Sequence, residues 1–156
     1  MDTRREFETW IEDNSGYDES ALAAEFCASR KWDDIGLAER LEARFAPVLR
    51  YGSGGWIAYN GKSWERNARD TAVAFGKQSA RAIADESDYL GDEATREKHA
   101  GFAKKACGKA AIDNALALAQ PALKIDDSEF DRSAELLNAP NDMALLQNSP
   151  REGFTW

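Results

Sequence analysis

Gly54-Gly55-Trp56-Ile57-Ala58-Tyr59-Asn60-Gly61-Lys62-Ser63-Trp64-Glu65-Arg66 is the stretch on which the fold turns. Two aromatic-rich runs flank Asn60-Gly61, a dipeptide that accepts the positive φ angles of a tight hairpin turn. A two-residue turn there sets Tyr59 against Lys62 and Ile57 against Trp64. Ile57, Tyr59, Lys62 and Trp64 then share one face, and Trp56, Ala58, Ser63 and Glu65 the other. Asn60-Gly61-Lys62-Ser63 also matches the end of a phosphate-binding loop. That loop needs a glycine five residues before Gly61, where this chain has Trp56, and it must open a helix. Lys62-Ser63 instead runs into the strand-like Trp64-Glu65-Arg66, so the stretch reads as a hairpin.

The sequence on either side supplies helices. Thr3 and Glu6 form a capping box ahead of Phe7, Trp10 and Ile11, giving a helix over 3–13. Asp18 caps a second helix with Leu22, Ala23, Phe26 and Cys27 on one face. Leu37, Ala38, Leu41 and Phe45 mark a third, which Pro47 stops. Val48 to Tyr51 reads as a strand and Gly52-Ser53-Gly54-Gly55 as a flexible connector. From residue 68 a helix carries Ala72, Val73, Gly76, Ala80, Ile83 and Ala84 inward, with Gly91 at its end. Another begins near Thr95 with Phe102, Ala103 and Ala106 inward. Gly108 breaks or kinks it, and 110–120 continues through Ile112, Ala115, Leu116 and Ala119 to a stop at Pro121. The expected fold is α+β and mainly α: one helical domain over 1–156, with a small three-stranded antiparallel sheet near 48–66.

The 156 residues are enough for a buried core, and 43% hydrophobic with 31% charged content fits a globular chain. No apolar run reaches the roughly 20 residues that span a bilayer. The N-terminus lacks a signal-peptide pattern, which leaves the cytoplasm as the expected location. Cys27 and Cys107 are expected as reduced thiols. The single histidine, His99, has no Cys or His at ligand spacing and reads as a partly exposed helix residue. The acidic run Asp126 to Asp131 reads as a solvated turn. No nucleophile, base and orienting group converge in the sequence, so a non-enzymatic protein without a metal or cofactor is expected.

Net charge is −8, but it is unevenly spread. Asp2, Glu6, Glu8, Glu12, Asp13, Asp18, Glu19 and Glu25 make the first 25 residues acidic. Arg96, Lys98, Lys104, Lys105 and Lys109 face only Glu97 over 96–109. Lys98, Lys105 and Lys109 fall close to one line of a continuous helix. Such a line can track a phosphate backbone, and those five residues are the candidate nucleic-acid contacts. The competing role is a solvated face or pairing with the acidic N-terminal helices. Trp56 and Trp64 can stack on bases or fill the core of a small sheet.

The order of these features resembles the helix-and-hairpin module that precedes the superfamily-3 helicase in phage and plasmid primase–helicases, including satellite-phage and poxvirus-type enzymes. The resemblance is carried by Trp56, Tyr59, Asn60, Gly61 and Trp64 of the hairpin. It continues in Phe102-Ala103-Lys104-Lys105 through Ile112 and Ala117-Leu118-Ala119 to Pro121, and in Leu136-Leu137-Asn138-Ala139-Pro140-Asn141. It spans about 37–142, preceded by a helical segment (3–34) and followed by a tail (143–156) ending Phe154-Thr155-Trp156. It departs from the pattern at Asp142, where glycine is usual, and the module is expected here without a helicase or primase domain. The resemblance implies a replication role without catalysis, through contacts to DNA or to a helicase or primase partner. The alternative is a phage-encoded acidic inhibitor of a host defence complex, of the anti-CRISPR kind, built on a reused replication domain.

Overall fold

The computed structural model describes residues 3–13 and 19–126. In chain order these form α1 (Thr3–Asp13), α2 (Glu19–Ala28), α3 (Asp34–Phe45), β1 (Leu49–Gly52), β2 (Gly55–Tyr59), β3 (Trp64–Glu65), α4 (Arg69–Arg81), a 3-10 helix (Ala82–Tyr89), α5 (Glu93–Ala106) and α6 (Lys109–Leu123). Asp18, the Leu136–Asn141 segment, most of the acidic run from Asp126 and the Phe154-Thr155-Trp156 tail lie outside the described residues.

α3 is the central helix. Asp33 caps it, its Oδ1 accepting from the Gly36 amide at 2.7 Å. Leu37, Leu41 and Phe45 recur at helical spacing and are all buried. Phe45 stacks on Phe75 of α4, ring centroids 4.4 Å apart. Ile112, Ala115, Leu116, Ala119 and Leu123 of α6 complete this core with Val48, Leu49, Trp56 and Ala58 of the sheet region. Phe7, Ala23, Phe26, Cys27 and Ala43 form a smaller cluster, through which α1 and α2 pack on α3.

The sheet is antiparallel in the order β1-β2-β3, as the sequence implies, but its two connections exchange roles. Gly52 pairs with Gly55 across Ser53-Gly54. The glycine-rich run is therefore the tight turn and no flexible connector, with Gly55 at φ +112°. Tyr59 pairs with Trp64 and Ala58 with Glu65, so residues 60–63 form a four-residue loop in place of the expected two-residue turn. Asn60 explains the wider loop. Its Oδ1 accepts from the amides of Lys62 at 2.8 Å and Ser63 at 2.9 Å, satisfying donors that a tight turn would pair directly. Its Nδ2 donates to Glu65. Relative to the expected pairing, β3 is shifted by two residues. A shift of two preserves which side chains share a face, so Tyr59 and Trp64 still lie together, 5.5 Å apart. Trp56 is buried beside Tyr51 and packs in the core, while Trp64 is half-buried at its edge.

Two helical boundaries also differ from expectation. The helix from residue 69 changes winding at Ala82. In a 3-10 helix every third residue eclipses, which puts Ile83 and Glu86 on one inward line, both at most 1% exposed. Ala84 then faces outward and Gly91 follows the 3-10 stretch. Pro121 does not stop α6. The helix continues to Leu123, which is 1% exposed in the core, and burial of that side chain offsets the missing proline N–H. Just beyond it, the Ile125 amide donates to Tyr51 O at 3.0 Å and fastens the chain to β1.

Both cysteines are free, Cys27 buried and Cys107 exposed. Burial pushes the Cys27 thiol up from its ordinary value. Iodoacetamide is therefore expected to modify one thiol rapidly in the native protein, with Cys27 reacting only as the protein unfolds. Mass spectrometry of timed digests locates the adduct, and fast labelling of Cys27 would contradict the packing of α2 on α3.

Candidate nucleic-acid interface and the buried cluster beneath it

α5 starts at Asp92, whose Oδ1 accepts from the Thr95 amide at 2.7 Å. That backbone hydrogen bond holds the exposed Asp92 carboxyl below its ordinary range. The cap therefore contributes stability above the usual aspartate range and loses it as pH falls through the lowered value. The last turn carries Lys104 and Lys105, placed favourably against the C-terminal end of the helix dipole.

Lys98, Lys104 and Lys105 are exposed and form no ion pair among the described residues. The acidic N-terminal helix is paired elsewhere, Glu6 with Arg30 at 3.1 Å and Glu8 with Arg4 at 3.1 Å. The other two candidates are not part of this group. Arg96 donates through Nη1 to Leu90 O at 3.0 Å, back toward the start of its own helix. Lys109 belongs to α6, because Cys107-Gly108 ends α5 and Gly108 begins the next helix. Its Nζ lies 2.7 Å from Asp113 Oδ2, and that hydrogen bond lowers the Asp113 carboxyl. The continuous line of Lys98, Lys105 and Lys109 is thus broken at Gly108. Glycine there exchanges a helical turn for an extended backbone, φ −74° and ψ 154°.

The inner face of α5 corrects the expectation for His99. It is 1% exposed, with Nε2 3.2 Å from Glu86 Oε1. Glu86 in turn receives both arms of a buried guanidinium. Arg40 Nε donates to Oε2 at 2.8 Å and Nη2 to Oε1 at 3.0 Å. Arg40 also donates through Nη1 to Lys31 O at 2.7 Å and through Nη2 to Arg30 O at 3.2 Å. Since Glu86 acts as the acceptor toward Arg40, its contact with His99 places the imidazole proton on Nε2. Trp32 closes the cluster. It meets His99 edge-on at 5.4 Å and stacks over Phe102 at 6.2 Å, while the Arg40 guanidinium lies 5.3 Å from the Phe102 ring centre.

One charge-assisted cluster thus joins the loop after α2, α3, the 3-10 helix and α5. It fixes the rotation of α5, and with it the direction in which the lysines point. The sequence carried a signal for His99: with Phe102, Ala103 and Ala106 it lies at i, i+3, i+4 and i+7. Arg40 and Glu86 carried none, being charged residues 46 positions apart.

Gly36 makes the cluster possible. A Cβ at this position would lie 1.9 Å from Lys31 O and 3.1 Å from Arg40 Nη1. Gly36→Ala is expected to push this carbonyl off the guanidinium and cost about 1–3 kcal/mol, the range for overpacking. A urea unfolding midpoint measures it, and an unchanged midpoint would show that the loop carries no such constraint.

A second basic feature has a structural role. A cleft of about 230 Å³ is lined by Arg4, Arg5, Arg50, Glu8 and Glu42 among others. Arg4 donates through Nη1 to Ala43 O at 2.7 Å, satisfying a carbonyl in the last turn of α3. Among the described residues no group of three or more His, Cys, Asp or Glu is arranged to hold a metal ion. No helix among them is long and apolar enough to cross a membrane.

Residues 38–148 match the family described as D5 N terminal like. The chain belongs to this family. The family describes the N-terminal region of D5-type primase–helicases, and no helicase or primase domain is matched. No curated protein and no solved structure matches the chain. The D5 N-terminal-like match begins one residue inside the boundary expected from the resemblance and ends six residues beyond it. Arg40, Glu86, His99 and the α5 lysines all fall within it, as does Leu136–Asn141, whereas α1 and α2 precede it.

Proposed function

We propose that the chain is a non-enzymatic replication module that binds single-stranded DNA through the outer face of α5. The observation that carries this reading is the state of Lys98, Lys104 and Lys105. They stand exposed around the middle and last turn of one helix, with no carboxylate among the described residues bonded to them. Membership of the D5 N-terminal-like family supports the replication context. On a chain of net charge −8 three lysines give modest affinity, seen at low salt and lost as salt rises. That weakness suits a module whose DNA contact adds to those of a larger replication assembly. Fluorescence anisotropy with labelled oligothymidylate between 20 and about 200 mM salt tests the proposal. Binding that rises at low salt and is lost on removal of the three lysines supports it, and no binding at low salt overturns it.

A further inference from the structure

Three glycines lie within helices among the described residues: Gly36, Gly76 and Gly101. Glycine weakens a helix interior relative to alanine, so each calls for a compensating reason. Gly36 has one in the Lys31 carbonyl. Gly76 has another, since a Cβ there would meet Ile112 Cγ2 at 3.0 Å in the α4–α6 contact. Gly101 has none inside the fold. It is exposed in the middle of α5, and a Cβ there would find nothing within 4 Å beyond the helix's own backbone.

What surrounds Gly101 is charge. Lys98 at i−3, Lys104 at i+3 and Lys105 at i+4 are its neighbours on the helix surface, with Glu97 at i−4 the one carboxylate among them. The bare backbone between them leaves open space beside three lysines and one glutamate. We infer that Gly101 is the point of closest approach of a phosphodiester backbone to α5, its missing side chain letting the strand settle between the lysines. The inference rests on the DNA-binding reading above and deepens it. The occupant is a polyanion backbone because three of the four charged neighbours are cationic, Glu97 being the exception, and the floor offers no apolar side chain for a hydrophobic partner.

The test compares Gly101→Ala, Gly101→Leu and the variant K98A/K104A/K105A in oligothymidylate binding at 50 mM salt, with circular dichroism and thermal melts of each. Both substitutions place good helix formers in open space, so melting points at or above wild type are expected. Gly101→Leu is expected to weaken binding about tenfold, the loss of roughly one phosphate contact at that salt, with Gly101→Ala between. Loss of binding in the lysine variant together with wild-type binding by Gly101→Leu overturns this inference and leaves the DNA reading standing. Wild-type protein that does not bind the oligonucleotide overturns both. Equal affinity for polyglutamate, which lacks a phosphodiester backbone, overturns the choice of ligand.

Discussion

Replacing Glu86 with alanine is expected to destabilise the fold by about 3–5 kcal/mol, the range for breaking a buried ion pair by removing one partner. Glu86 and Arg40 are both almost wholly enclosed, at 1% and 0% exposed. Without the carboxylate, the guanidinium keeps its bonds to Lys31 O and Arg30 O but loses the acceptor for Nε and its counter-charge. His99 loses its acceptor at the same time. A loss of that size is a large fraction of the total stability of an ordinary domain, about 5–15 kcal/mol. Glu86→Ala is therefore expected to unfold at a markedly lower denaturant concentration than wild type. Urea denaturation followed by tryptophan fluorescence measures it. Arg40→Met with Glu86→Leu is expected to recover part of the loss, since an apolar pair of similar volume avoids the uncompensated charge. Recovery stays incomplete because the two loop carbonyls still lose their donors. A midpoint for Glu86→Ala within experimental error of wild type would refute the central role given to this cluster.

The second large effect concerns binding. Each lysine that neutralises a phosphate of a single strand contributes about 0.7 RT ln(1/[salt]), or about 1.2 kcal/mol at 50 mM salt. Removing Lys98, Lys104 and Lys105 together is thus expected to weaken oligothymidylate binding by about 500-fold at that salt. The slope of log K against log salt is expected to fall by about 2, since three contacts at about 0.7 each are lost. The matched control is K62A/K77A/K124A, three exposed lysines on the hairpin loop, α4 and the end of α6. It changes net charge equally, so it separates a local surface from a general effect of charge. Equal losses in both variants would mean that α5 is not the contact surface. The buried cluster links the two experiments. Glu86 holds the inner face of α5, so Glu86→Ala is also expected to lower affinity at temperatures where part of the protein remains folded.

Much of the fold was legible in local sequence. The apolar spacing of Leu37, Leu41 and Phe45, the Thr3–Glu6 pattern at the start of α1, and the aromatic runs beside Asn60 each specify their element through backbone physics that operates within a few residues. Lys98, Lys104 and Lys105 were legible too, since charge on an exposed helix face needs no partner to be recognised. Lys109 was placed on the same line because spacing along a sequence assumes an unbroken helix, and Arg96 was included for its place in the basic run 96–109. Gly108 breaks the helix, and a carbonyl at Leu90 claims Arg96.

The sequence alone therefore determined a mainly helical chain with a three-stranded sheet, the residues of its core, and the basic character of one helix. Tertiary structure alone decided that Arg40, Glu86 and His99 meet and that Pro121 stays inside α6, while the tight turn lies at Ser53-Gly54 and Asn60 spans a wider loop. Periodicity and capping are local, whereas a charge becomes buried or a proline tolerated only when the energy of distant contacts exceeds the local preference. The loop at Asn60 differs for another reason: its side chain bonds the Lys62 and Ser63 amides, one local preference prevailing over another.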